Sequence, residues 1–466
     1  MRKKSYELTS QRAYEPEKIT VLGFDREGKS TFAYLKRSPE FKNAEFWIVD
    51  KKSTIKIPRG AHASLGKNYL RNLSSFDLVF RTPGVPWMKP ELVKARRAGV
   101  KFSSATKLFF KEAARRGVRI VGVTGTKGKG TTTTLLYKML RGAGKKAFLA
   151  GNIGIPMLEL LPKIKKNGLV ILELSSFQLQ DLETSPHTAV VLDIFPDHQD
   201  AHLNLREYYE AKTNIARHQK RGDCIFFFAN HPLSRWVAQK SRGKKIPVGE
   251  KSFGLFGPGD LKMPGLHNFK NAVMAASVAG HLGVPKKTVI RIAKKFPGNE
   301  HRLEFIRKIR VHPRQRKKYP RASASIDFWN DSASTNPHTT AAAIAAFPND
   351  KKILIAGGQD KGLDYAPLAR ALEAARGKVP LVVLYGENAK KIARTIRRSK
   401  NKGVRIKVVK NLRRAIAAAY TFAKKTLHLN SKSLILFSPG AASFDQFKNY
   451  ADRGERFKKI VRTLTD

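Results

Sequence analysis

Residues 120–134 read Ile-Val-Gly-Val-Thr-Gly-Thr-Lys-Gly-Lys-Gly-Thr-Thr-Thr-Thr, and this stretch decides the fold. The apolar opening, Ile120 to Val123, predicts a buried strand. Gly125, Thr126, Lys127, Gly128, Lys129, Gly130 and Thr131 form a glycine-rich turn, and Thr132 to Leu140 carry apolar residues at helical spacing. Strand, glycine turn and helix are the context of a phosphate-binding loop. Glycines let backbone N–H groups approach phosphate oxygens, and the helix N-terminus adds a favourable dipole. Lys129 is placed to reach the β- and γ-phosphates. The G-x-x-x-x-G-K-[ST] pattern is not met at its last position, where Gly130 stands, so Thr131 is the nearest hydroxyl for a magnesium ion.

Outward from this stretch, strands and helices alternate. Upstream, strands are predicted at residues 19–22, 46–49 (ending at Asp50) and 77–80, the last running into Arg81-Thr82-Pro83-Gly84-Val85. Downstream, strands at 146–149, 169–174, 188–192 and 224–228 complete a doubly wound unit, followed by a helix over 265–282. Beyond His301-Arg302-Leu303-Glu304, a basic segment at 307–321 predicts a hairpin with a solvated tip. Strands at 353–356, 381–384, 406–408 and 433–437 then alternate with helices. The class is α/β in three domains, 1–116, 117–304 and 305–466. The outer two are Rossmann-like and the central one is a P-loop ATPase-like doubly wound sheet. Ligands are expected at strand carboxyl ends, where such sheets bind them.

The chain has 466 residues, 41% of them hydrophobic, enough for several packed cores. Its single cysteine, Cys224, lies in an apolar run and excludes a disulfide framework or a thiolate metal cluster. No apolar stretch approaches a membrane span, and the N-terminus lacks the apolar region of a signal peptide. A cytoplasmic monomer is expected. Lys+Arg 90 against Asp+Glu 36 gives a net charge of +54. Phosphate neutralisation on a nucleic acid is one reading of that charge. The basic residues are spread over every segment rather than gathered in a stripe with aromatics, which favours a generally basic surface that attracts anionic substrates.

Further polar groups fall at predicted strand ends. Glu173, in Leu-Glu-Leu-Ser-Ser-Phe-Gln, is a hard oxygen donor suited to Mg²⁺. Asp193-Ile-Phe-Pro-Asp197-His198 offers metal ligands or substrate contacts, and Asn152 sits in Gly-Asn-Ile-Gly. Asp50 is open to two readings, a ribose contact or a strand-end cap.

The ordered series TGTKGKGTTT, GNIG, ELSSFQL, PDHQDAH, YYEAK, GLHNFKNA, EHRLE, NDSASTN, GGQDKG and SPGAASFDQFKNYADRG resembles the Mur ligase family over almost the whole chain. The resemblance implies an ATP-dependent, Mg²⁺-requiring amide ligase. Such an enzyme forms an acyl phosphate on UDP-N-acetylmuramoyl-L-alanine, which the amine of D-glutamate then attacks with release of phosphate. By motif, Lys129 would bind the transferring phosphate, and Thr131 and Glu173 one metal ion. His198 and Lys212 would serve a second, with Lys212 carbamylated. Asn268, Asn271, Arg302 and Asp331 would hold ATP, and Asn152 the acyl substrate. Thr335, Lys361, Ser443 and Tyr450 would line the D-glutamate pocket, and Asp50, Thr82 and Gly84 the uridine diphosphate site. The chain departs from the family pattern at Gly130, at Asp193 (usually Asn), at Ala333 (often Lys) and at Asp25 (a glycine in relatives). Two other readings remain: a related ligase, such as a folylpolyglutamate synthase or a Mur ligase for a different amino acid, or a nucleic-acid-binding protein on a degenerate ligase fold. The first-domain strands and the RTPGV loop argue against a folate enzyme, and intact Lys129, Glu173, His198 and Lys212 argue against the degenerate fold.

Overall fold

The computed structural model describes residues 17–152, 154–197, 201–250, 253–311, 324–401, 403–428 and 431–465. They fall into two compact units. One runs to Gly249 and takes in Ser277–His281; the other holds Glu250–Ala276 and everything from Leu282. Among the described residues, no helix is long and apolar enough to cross a membrane.

The first unit contains two parallel sheets. Strands β1 (Lys18–Leu22), β2 (Glu45–Asp50), β3 (His62–Leu65), β4 (Leu78–Arg81) and β5 (Lys101–Ser103) lie in the order β3-β2-β1-β4-β5. Strands β6 (Arg119–Thr124), β7 (Ala147–Gly151), β8 (Leu169–Glu173), β9 (Thr188–Val191), β10 (Cys224–Phe228) and β11 (Lys244–Val248) lie in the order β11-β10-β9-β6-β8-β7. Central strands covered by helices on both faces must be apolar throughout. β9 and β10 are buried at every residue, Cys224 included. The chain order reverses around β1 in the first sheet and β6 in the second. This brings Gly23, Asp50 and Thr82 to one edge, and Gly125, Glu173 and Leu192 to another.

The second unit carries β12 (Glu304–Val311), β13 (Ala324–Asn330), β14 (Lys351–Gly357), β15 (Leu381–Tyr385), β16 (Arg405–Val408) and β17 (Lys432–Phe437). Their order is β12-β13-β17-β14-β15-β16, and β12 alone is antiparallel. The hairpin expected within 307–321 is wider than that: β12 starts at Glu304, its partner β13 lies beyond the segment at Ala324–Asn330, and the basic segment is strand as far as Val311. Its remainder, 312–321, lies outside the described residues. Arg307, read as part of a solvated charge run, donates to Arg462 O (3.1 Å) and Leu464 O (2.9 Å), and so fastens the end of the C-terminal helix.

Besides β13, two edge strands were not anticipated. β3 is short and polar, and β11 begins with two lysines and contains Pro247. Both are edge strands, which need neither an apolar run nor every N–H donor.

Candidate active site

The phosphate loop leaves β6 and enters the helix Lys129–Gly142. Gly125 (φ 149°) and Gly128 (φ 85°) adopt backbone conformations that disfavour a side chain. A β-carbon on Gly125 would also stand 2.7 Å from Cβ of Leu192. Thr126 stitches the loop to the segment after β9. Its N–H donates to Asp193 O (2.9 Å), its hydroxyl donates to Phe195 O (3.0 Å), and Phe195 N donates back to that hydroxyl (2.8 Å). Lys127 pairs with Asp197 at 3.0 Å. The Lys129 ammonium curls back over the loop, donating to Gly125 O (3.0 Å) and Thr126 O (3.1 Å). Thr131 is buried in the first turn of the helix.

Glu173 is the last residue of β8, in register with Val123 of β6 and Gly151 of β7. Oε1 accepts from Asn152 Nδ2 (2.9 Å), so the structure brings these two expected residues together. Oε2 is buried and meets no hydrogen-bond donor among the described residues. A buried carboxylate oxygen left unsatisfied costs about 1–3 kcal/mol or more. A cation is the natural partner for that oxygen. Gly151 (φ 106°) makes the approach possible, since a β-carbon there would collide with the Glu173 carbonyl.

Lys212 lies on the helix Leu205–Arg217 and is 1% exposed. Its Nζ donates to Gly125 O at 3.0 Å, the same carbonyl that Lys129 uses. Burial holds its pKa well below the ordinary lysine range, with Lys129 and Lys127 pushing the same way and Asp197 opposing. His198 lies outside the described residues.

Sequence reasoning missed a neighbouring group. The buried His202 ring sets Nε2 2.9 Å from Ser176 Oγ and Nδ1 2.6 Å from Glu207 Oε2, and it stacks on Phe177 at 4.7 Å. It joins the segment after Glu173 to the helix bearing Lys212. The only signal was a second histidine at the end of PDHQDAH.

At the first sheet's edge, both oxygens of Asp50 are engaged by backbone, from Phe24 N (2.6 Å) and Lys52 N (2.8 Å), which is the capping reading. Thr82 donates through N–H and hydroxyl to Leu22 O (both 3.0 Å), while Gly84 is exposed with open space around it. Asp25, the departure in the first turn, pairs on the surface with Lys52 at 2.7 Å. Glu27 was not anticipated. Its Oε1 is buried with no hydrogen-bond donor among the described residues, and burial raises its pKa to about 7 against the pull of Arg81.

In the second unit, the loops following β13, β14 and β17 converge. Asp331 accepts from the hydroxyls of Ser334 and Ser438 and from Leu303 N, and burial raises its pKa to about 6, with Arg302 opposing. Gln359 N donates to Ala442 O (2.9 Å), which ties the Lys361 loop to the one carrying Ser443. Lys361 is exposed and its Nζ stands 5.7 Å from the Phe444 ring centroid. Ser443 is buried, and Thr335 and Tyr450 are exposed. Asn268 and Asn271 are buried on the helix Leu266–His281, where Asn268 donates to Pro264 O (2.8 Å). The unforeseen member is Arg453, fully buried, which donates to Ala441 O (3.0 Å), Ala442 O (3.2 Å) and Ser332 O (2.8 Å) and so binds two of these loops.

Known proteins share this architecture. Among solved structures, the UDP-N-acetylmuramate-alanine ligase of Thermotoga maritima superposes with a TM-score of 0.55 at 19% identity, covering 96% of this chain and 99% of that one. The MurF ligase of the same organism, solved in complex with ADP, gives 0.55 at 15% identity, over 98% and 97%. At these identities the likeness is one of fold. Sequence carries it further. The family model for the Mur ligase middle domain matches residues 123–256, and that for the Mur ligase, glutamate ligase domain matches residues 317–439. The chain is 35% identical to the UDP-N-acetylmuramoylalanine--D-glutamate ligase of Acetivibrio thermocellus, over 96% of this chain and 97% of the relative. It is 34% identical to the like-named protein of Symbiobacterium thermophilum, over 86% and 87%. At 34–35% identity to these relatives over 86–96% of its length, and with both family models matched, the chain belongs to the Mur ligase family.

Proposed function

We propose that this protein joins D-glutamate to UDP-N-acetylmuramoyl-L-alanine at the expense of ATP, a step of peptidoglycan precursor synthesis. The observation that carries the reading is the meeting of Lys129, Lys212 and the half-satisfied Glu173 carboxylate with the phosphate loop at one sheet edge. The choice of substrates follows the names of the full-length relatives.

The chemistry then runs in two steps. The alanyl carboxylate attacks the γ-phosphorus of ATP, and ADP leaves. The amine of D-glutamate next attacks the acyl phosphate carbon, loses a proton, and inorganic phosphate departs. Both steps crowd anions together, so cationic and N–H donors must already be in place. Lys129 swings from the loop carbonyls to the transferring phosphoryl group, and the N–H groups of Gly125–Gly130 cradle the phosphates. The open Oε2 of Glu173 fits Mg²⁺, with Thr131 beside it in the family motif. When bound, that ion supplies Lewis-acid charge to the phosphates. Lys212 as an ammonium would repel a cation. Its lowered pKa favours the neutral amine, which can add CO₂ and lose a proton to become an anionic carbamate.

In this reading Lys361, Ser443, Thr335 and Tyr450 receive D-glutamate, Asn152 the acyl group, and Asp50, Thr82 and Gly84 the uridine diphosphate. Asn268, Asn271, Arg302 and Asp331 are assigned to ATP on the family motif. The domain division 1–116, 117–304 and 305–466 assigns one sheet to each substrate. A nucleotide-linked, charged substrate suits a cytoplasmic enzyme, and a monomer suffices for this chemistry. The test is isotopic. With oxygen-18 in the alanyl carboxylate, an acyl phosphate route delivers one labelled oxygen to the released phosphate; unlabelled phosphate would rule the route out.

A further inference from the structure

Arg81 ends β4 and opens the Thr82–Val85 turn, yet its guanidinium is 2% exposed and points away from solvent. One terminal nitrogen donates to Val85 O (2.9 Å). The other donates to Phe177 O (2.8 Å) and pairs with Asp181 Oδ1 at 3.1 Å. The Trp87 ring lies 5.1 Å from the guanidinium carbon and is itself faced by Arg96 at 3.8 Å. Removing a guanidinium from water costs several kcal/mol, which these acceptors must offset. A strut for stability alone could be apolar at lower cost, since replacing a buried ion pair by well-packed apolar groups is often neutral or stabilising.

The partners of Arg81 show what the charge accomplishes. Val85 closes the turn that presents Thr82 and Gly84. Phe177 and Asp181 belong to the segment that follows Glu173, whose short helix Ser176–Leu179 is capped by Ser175. One planar fork therefore grips the ligand-bearing turn of the first sheet and the segment behind the open carboxylate of the second. We propose that Arg81 is a positioning residue that fixes the Thr82–Val85 turn relative to the Glu173 segment, so that a nucleotide-sugar held on the first sheet presents its acyl end to the second. This inference rests on the function proposed above. A lysine keeps the charge but, as a point donor on a flexible stem, cannot satisfy Val85 O, Phe177 O and Asp181 in that planar geometry.

The experiment compares steady-state kinetics of the full chain, Arg81→Lys and Asp181→Asn with UDP-N-acetylmuramoyl-L-alanine, ATP and D-glutamate. Arg81→Lys is expected to raise KM for the nucleotide-sugar at least about tenfold, with KM for ATP within about twofold, because a charge-assisted contact that orients one substrate is lost. Asp181→Asn should move the same constant in the same direction by less. It carries the test alone if Arg81→Lys does not fold by circular dichroism. A folded variant with both constants unchanged, or with both raised by one common factor, would overturn the inference while wild-type turnover leaves the functional reading standing. No turnover by the wild-type chain would overturn that reading and the inference with it.

Discussion

Replacing Glu27 should stabilise the fold at neutral and alkaline pH. Burial raises the Glu27 carboxyl pKa from 4.5 to about 7, against the pull of the Arg81 charge. The folded chain thus holds this proton more tightly than the unfolded one. Below pH 4.5 the group is protonated in both states and has no effect. As pH rises from 4.5 to about 7 the unfolded state ionises first, so stability falls. Above pH 7 the folded state carries the whole penalty, on the order of 3 kcal/mol at roughly 1.4 kcal/mol per pH unit. Glu27→Gln abolishes the titration. It should melt several degrees above wild type at pH 8 and at about the same temperature at pH 4.5. Differential scanning calorimetry across that range is the assay. An equal shift at both pH values, or a loss at pH 8, would refute the assignment of a penalised buried carboxylate.

Two other substitutions test the site. Lys361→Ala should raise KM for D-glutamate more than KM for ATP, by roughly two- to fivefold if the exposed lysine contributes up to about 1 kcal/mol of charged contact; equal changes in the two constants would remove Lys361 from the amino-acid pocket. Lys212→Ala should be nearly inactive and partly rescued by short carboxylic acids that return the missing oxygens, and intact mass should show a carbamate on the wild-type lysine. Full activity of Lys212→Ala would refute that role.

The parts of this molecule that sequence made legible are those written in local signals. The phosphate loop needs glycines at positive φ and a lysine at fixed spacing, and Gly125, Gly128 and Lys129 stand where the motif put them. Glu173 was readable near a strand end because it follows a short apolar run, Leu169 to Leu172, that precedes the polar Ser175-Ser176. Edge strands β3 and β11 were illegible because exposure removes the apolar pattern. Asp50 illustrates a second limit. Sequence placed it at a strand end, but only the fold shows that Phe24 N and Lys52 N already engage its oxygens. Arg81, His202 and Arg453 make contacts to segments elsewhere in the chain, 100 residues away for Arg81 and Asp181. Nothing in the residues near Arg81 announces Phe177, and a single arginine among many gives no hint that it is buried.

Phosphate release together with the mass of the product measures which groups the enzyme joins. The purified chain is given ATP, Mg²⁺ and UDP-N-acetylmuramoyl-L-alanine, with D-glutamate or another amino acid, alongside Lys129→Ala. Release should require all the substrates together, with strong preference for D-glutamate and a product heavier than the nucleotide-sugar by glutamate less water. It should fall about 10²–10³-fold or more in Lys129→Ala, whose lost cation stabilises the transferring phosphoryl group. Preference for a different amino acid, or near-normal release by Lys129→Ala, would overturn the proposed reaction.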